Sequence, residues 1–270
     1  MAAVSDWTER HRPTSESHLE GNENQRQKIR KWLDDWKTGI PKNKAILLVG
    51  PPGVGKTTIA RAIAQDMGWN VIELNASDAR NAASIRKAAT KGATHRSLFF
   101  SPEENDKKTL ILIDEVDHLT GGLRSVSESR INDAIKVNLD NSDNVQLKGD
   151  TGGKAELLKL LAETKQPVIL ACNEVMGLWG KSSNWRSTRE RFQRLLVTIN
   201  FERASKEALR NIARRVLKAE SMDYDSDAIE AIVSNNPGDL RALVRDLQVI
   251  CSADINSIDK ETVLEYVQTG

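Results

Sequence analysis

The chain has 270 residues, enough for one large domain and a small one, with 39% hydrophobic and 29% charged residues. Lys and Arg number 39 against 38 Asp and Glu, so net charge points to no nucleic-acid partner and any basic surface must be local. No apolar run approaches the ~18–20 residues of a membrane span, the opening MAAVSDWTERHRP lacks a signal peptide's apolar core, and Cys172 and Cys251 lie far apart without CxxC spacing. The two thiols read as buried in a reducing compartment, and a cytoplasmic protein with no membrane partner is expected.

In chain order, Ile29, Trp32, Leu33 and Trp36 recur at i, i+3, i+4 and i+7, one face of an amphipathic helix. Ala45–Val49 is a first apolar strand candidate, and Ile59, Ile63 and Met67 line a helix that Gly68 can end. Val71–Leu74, Leu110–Asp114, Pro167–Cys172 and Leu195–Ile199 are further strand candidates, with Leu157, Leu158 and Leu161 marking a helix between them. This alternation predicts an α/β domain with a five-stranded parallel sheet over residues 1–200. After Phe201 the strand signals stop. Stripes at Leu209, Ile212, Ala213, Val216, Leu217 and at Leu240, Leu243, Val244, Leu247, with weaker helices near Asp227–Val233 and Lys260–Val267, predict a small all-α domain over 201–270. Two polar stretches, Gly121–Gly153 and Met176–Ser187, are expected to be surface excursions rather than core.

The chemistry is densest at GPPGVGKTT, Gly50 to Thr58, which follows the first strand and opens a helix. It fits G-x-x-x-x-G-K-[ST]. Gly50, Pro51, Pro52, Gly53, Val54 and Gly55 form a loop whose N–H groups can wrap phosphate oxygens, and the next helix adds its positive end. Lys56 can reach the β- and γ-phosphates, and the Thr57 hydroxyl, followed by Thr58, can ligate Mg²⁺. In LILIDEVD, Leu110 to Asp117, Asp114 emerges at the carboxyl end of a buried strand and is expected to hold the Mg²⁺ shell. Glu115 is the candidate base for the attacking water. PVILAC delivers Asn173 to the same sheet edge, either to orient the water or γ-phosphate or as a simple turn residue. Together these predict ATP and Mg²⁺ as ligands.

From Ala79 to Pro102 there is no Asp or Glu, yet Arg80, Arg86, Lys87, Lys91 and Arg96 fall within the segment. Arg80, Lys87 and Lys91 recur at helical spacing with Ser84 on the same face. Such a stripe either follows nucleic-acid phosphates without sequence preference or is a solvated helix face. No aromatic residue interleaves with these cations, so base stacking is not indicated.

These residues resemble AAA+ ATPases and, within them, clamp loaders of the archaeal-type replication factor C large subunit. ELNASD, Glu73 to Asp78, with Arg80, resembles the ELNASDxR signature, and GDLR, Gly238 to Arg241, resembles sensor 2. WTERHRP, Trp7 to Pro13, resembles W-x-x-K-Y-R-P with Arg10 and His11 replacing Lys and Tyr. The spacing of ELNASD, DEVD, TKQPVILACN and GDLR resembles the large rather than the small subunit. The resemblance implies a P-loop AAA+ core with a helical lid. It makes Asn173 sensor 1, Arg241 the lid arginine that reports the γ-phosphate, and Asn75 the polar switch that restrains Glu115 until DNA is bound. His11, Arg12 and Pro13 would border the adenine. The helix carrying Arg80, Arg86, Lys87 and Lys91 would face DNA in the central chamber. Implied partners are replication factor C small subunits, the sliding clamp (PCNA) and primer–template DNA, in a hetero-oligomer.

Small subunits of that family carry Ser-Arg-Cys before the last strand, whose Arg is inserted into a neighbour's ATP site. Counting back from Phe201, the equivalent residues are Arg194, Leu195 and Leu196, with Arg191 nearby, so the chain is expected to receive a finger and to hydrolyse ATP slowly alone. The helical collar that follows the lid in the family is not part of this sequence. Two other functions stay open: a different AAA+ DNA motor or helicase loader, disfavoured by ELNASD with GDLR, and an ATP-dependent scaffold without turnover, disfavoured by Lys56, Asp114, Glu115 and Asn173.

Overall fold

Four residues in a row, Ala45 to Leu48, are fully buried, which only a strand covered on both faces achieves. They belong to β1 (Ala45–Val49), flanked by β4 (Val168–Cys172) and β5 (Leu196–Asn200); β3 (Thr109–Asp114) and β2 (Asn70–Asn75) complete a sheet of order β2-β3-β4-β1-β5 with every pair parallel. The computed structural model describes residues 6–78, 81–87, 108–119, 121–140, 147, 151–181, 183–252 and 257–269. The chain divides into two compact units, one of Gln27–Val49 and Ile63–Asn200, the other of Met1–Arg26, Gly50–Ala62 and Phe201–Gly270.

The first unit contains the five-stranded sheet. From α2 (Glu23–Thr38), Trp32, Leu33 and Trp36 are buried, and the Trp32 indole N–H donates to the Asn43 carbonyl at 2.8 Å. α6 (Gly153–Glu163) places Leu157 and Leu161 in a core shared with Leu47, Ile111, Ile113 and Leu170. α8 (Trp185–Gln193) adds Phe192. Both stretches expected to be surface are in part core. α5 (Glu128–Asp140) packs Ile131 and Ala134 with Leu147 against Ala82 and Ala83 of α4, described over residues 82–87. α7 (Val175–Trp179) buries Leu178 completely. One or two apolar side chains on a short helix suffice for this, and polar composition hides them.

In the second unit α9 (Lys206–Ala219), α10 (Ser226–Asn235), α11 (Leu240–Cys251) and α12 (Lys260–Thr269) enclose Leu209, Ile229, Leu243 and Val263. Trp7 of α1 (Trp7–Arg10) joins this core, its backbone N–H donating to Gln248 Oε1 at 2.9 Å. The Ser205, Asp225 and Asp239 side chains cap three of the helices by accepting from Ala208, Ala228 and Ala242 N–H groups. The unit is helical as expected, with one addition: β6 (Asp223–Tyr224) and β7 (Ser257–Ile258) form a parallel ladder, too short to leave a period in the sequence. α3 (Lys56–Asp66) starts in this unit and ends in the first.

Cys172 is buried, but Cys251 is only half-buried. Among the described residues no helix is long and apolar enough to cross a membrane.

Candidate nucleotide-binding site

The phosphate loop starts one residue after β1. Gly53 and Gly55 take the left-handed conformation, φ 74° and 87°, which lets the loop reverse and present its N–H groups. Lys56, the first residue of α3, is 7% exposed, and its ammonium donates to the Gly50 carbonyl at 2.7 Å and the Pro51 carbonyl at 2.8 Å. The charge is thus gathered under the loop. Val54 and Thr57 are buried, while Pro51, Gly53, Gly55 and Thr58 are partly buried and Pro52 is exposed.

The lid helix begins against this loop. Leu240 N–H donates to the Gly53 carbonyl at 3.0 Å, and the Asp239 carboxylate that caps α11 would overlap any side chain at Gly53. Arg241, next after Leu240, is exposed. The Asp6 carboxyl is held below the usual carboxylate range by its Thr8 hydrogen bonds, helped by Arg245 and Arg241. Arg12 Nε–H donates to Thr58 Oγ1 at 3.3 Å, which puts the N-terminal box beside α3, and Pro13 follows partly buried. His11 Nε2 lies 2.5 Å from Glu220 Oε1, and Arg10 Nη2 lies 2.8 Å from the same oxygen. A carboxylate only accepts, so Nε2 carries the proton. Glu220 has no signature in the sequence, since its partners lie more than 200 residues away.

The remaining expected site residues lie at the carboxyl ends of the strands in the first unit, where open α/β sheets bind ligands. Asn75 pairs with Asp114 across β2 and β3, and Asn173 follows β4, the neighbour of β3. Asp114 Oδ1 accepts from Glu115 N–H at 2.8 Å. Glu115 is left-handed, φ 54°, a strained conformation that clusters at functional sites. It opens a 3-10 turn over Val116–His118, where side chains three apart eclipse, and its Oε2 lies 3.5 Å from His118 Nδ1. Asn75 Oδ1 accepts from Ser77 N–H at 2.8 Å. Among the described residues no hydrogen bond joins the Asn75 amide to the Glu115 carboxylate. The sequence reading missed Asp117, whose Oδ2 accepts from Asn173 and Glu174 N–H groups.

Of the basic stripe, Arg80 and Lys91 lie outside the described residues, and Lys87 and Ser84 are partly buried on α4. Arg86 is corrected. Its Nε donates to Glu156 Oε1 at 2.6 Å and its Nη2 to Glu156 Oε2 at 2.8 Å, while Nη1 and Nη2 also meet Glu128. Lys159 lies 2.5 Å from Glu128, so two cations and two carboxylates form a closed cluster. These bonds raise the Arg86 pKa further, Glu156 contributing most, and they leave no free guanidinium edge for phosphate. Near the expected finger position Leu195 packs against the sheet core, whereas Arg191 and Arg194 are exposed.

The buried ammonium under a loop with two left-handed glycines suits a polyphosphate, and a hydroxyl such as that of Thr57 is a hard oxygen donor of the kind that Mg²⁺ takes. Residues 46–198, more than half of the chain, match the ATPase family associated with various cellular activities (AAA). The replication factor C large subunit of Halobacterium salinarum is 34% identical over 250 residues, covering 92% of this chain and 44% of that protein. Those of Methanococcus maripaludis and Methanosarcina mazei are 33% and 31% identical over 262 and 248 residues, covering 97% and 92% of this chain and 45% and 34% of theirs. The chain therefore spans less than half the length of these relatives. The Thermotoga maritima RuvB Holliday junction branch migration motor superposes with TM-score 0.62 at 20% identity, over 96% of this chain and 72% of that one, a likeness of fold. Phosphate loop, parallel sheet and matched span agree: the chain belongs to the AAA ATPase family.

Proposed function

We propose that the chain binds Mg·ATP and hydrolyses it as a clamp-loader subunit of the replication factor C large-subunit type, helping to open a sliding clamp and place it on primer–template DNA. The observation that carries this reading is the Leu240 N–H to Gly53 carbonyl bond, which ties the helix bearing Arg241 to the loop built for the phosphates. A lid so attached responds to what the loop binds. The similarity to three replication factor C large subunits supports clamp loading over other uses of the fold.

In this reading Lys56 and the loop N–H groups bind the β- and γ-phosphates, and Thr57 and Asp114 would hold Mg²⁺, which would neutralise the phosphate charge. Glu115 accepts the proton of the attacking water, Asn173 orients it, and Arg241 stabilises the transferring group. His11, Arg12 and Pro13 border the adenine, His11 with Nε2 already committed to Glu220. A neighbouring small subunit supplies the arginine finger, which Leu195 cannot. Lys87, with Arg80 and Lys91, contacts DNA phosphates.

Co-expression with replication factor C small subunits tests the reading. A hetero-oligomer that retains a sliding clamp in ATP and releases it with Lys56→Ala is expected. A chain that joins neither small subunits nor clamp in any nucleotide would rule the reading out.

A further inference from the structure

Asp117 closes the LILIDEVD run, yet the scheme above gives it no task. Its Oδ2 accepts from Asn173 N–H at 3.2 Å and from Glu174 N–H at 3.3 Å. Its Oδ1 is buried without a hydrogen-bond partner among the described residues, an arrangement that costs free energy and that a solvent-facing Asp would avoid. The segment it grips is held from two more sides. A Cβ on Gly177 would lie 2.5 Å from the Asp117 carbonyl, so α7 packs directly on this turn, and the buried Lys154 ammonium approaches the Gly177 carbonyl at 3.4 Å. Asp117 shares its turn with Glu115, whose carboxylate meets His118 one residue further on. A single four-residue turn therefore connects the side chain of Glu115 to the backbone of Asn173.

We propose that Asp117 is a positioning residue that locks the backbone of Asn173 to the turn carrying Glu115, so that the amide facing the γ-phosphate and the carboxylate facing the water move as one piece. The proposal rests on the hydrolysis reading above. If Asp117 acts only as a loop closure, its removal affects stability and not the coupling between the two residues.

The test uses Asp117→Asn, Asp117→Ala, Asn173→Ala and the double variants, each in the complex with small subunits. Asn keeps the shape and one acceptor, so it reports where the Ala variant fails to fold. ATP affinity, set by the phosphate loop, should stay within about twofold of wild type, while kcat falls about ten- to a hundredfold through misplacement of the reacting groups. The double variant should be no slower than the slower single one, because both act through the same residue. Amide hydrogen exchange at Asn173 and Glu174, which needs no turnover, should be faster in both Asp117 variants. Additive losses, unchanged exchange, or faster exchange with wild-type kcat would each overturn the coupling. A wild-type complex that hydrolyses no ATP overturns the hydrolysis reading and the coupling with it; turnover with additive losses overturns the coupling alone.

Discussion

Gly53→Ala should be costlier than Gly55→Ala, although both glycines are left-handed. An L-residue in that region costs ~1–2 kcal/mol. At Gly55 little else is added, because the atom nearest a new Cβ is Ile59 Cδ1 at 3.6 Å. At Gly53 the new Cβ falls 1.9 Å from Asp239 Oδ1 and 2.3 Å from its Cγ, so the carboxylate must move. That oxygen accepts from Ala242 N–H at 2.9 Å, and losing an N-cap costs ~0.5–2 kcal/mol. The Leu240 N–H to Gly53 carbonyl bond is strained by the same shift, a further ~0.5–1.5 kcal/mol. The total is about 2–5.5 kcal/mol against about 1–2 for Gly55→Ala. Urea unfolding followed by circular dichroism measures both, and calorimetric ATP titration should show weaker binding in Gly53→Ala as α11 is displaced. In an Asp239→Ala background the overlap is gone, and Gly53→Ala should cost only its backbone strain. Equal costs for the two glycine variants, or an Asp239-independent cost at Gly53, would refute the packing of lid against loop.

Lys56→Ala should abolish tight Mg·ATP binding in the same titration, since it removes the charge gathered under the loop; unchanged affinity would dismiss the phosphate site. Arg86→Ala should destabilise by about 1–3 kcal/mol by stripping Glu156 and Glu128 of their partner. Lys87→Ala should leave stability nearly unchanged and flatten the log–log salt dependence of duplex binding by about 0.9; the opposite pattern would return Arg86 to the DNA face. Arg86, then Lys159, hold the Glu128 carboxyl at about 2 against the ordinary 4.5. A depressed folded value means that this stabilisation is complete above 4.5 and is lost as pH falls from there towards 2. Glu128→Gln should therefore lose less stability than wild type between pH 5 and 2, and identical acid profiles would contradict the cluster.

The strands were legible because buried parallel strands are unbroken apolar runs: Ala45–Val49 is found as expected, and the other four differ by one residue at their ends. The phosphate loop was legible because its geometry demands Gly, Lys and Thr at fixed offsets. What stayed hidden depends on distant partners. Arg86 looks like one more cation until Glu156, 70 residues on, closes around it. His11 looks available to a base until Glu220 takes its Nε2. α5 and α7 escaped because a buried Ile131 or Leu178 among polar neighbours makes no stripe. Asp239, by contrast, precedes an apolar helix as N-cap residues do, a readable signal that the GDLR motif overshadowed.

On the proposed reading, ATP turnover by this chain is geared to clamp and DNA. The direct measurement is the steady-state ATPase rate of the chain assembled with small subunits whose own phosphate loops are disabled, with and without clamp and primer–template DNA. The account predicts a slow basal rate that clamp and DNA together raise, and that Glu115→Gln abolishes while leaving ATP bound. A rate indifferent to clamp and DNA, or one that persists in Glu115→Gln, would contradict it.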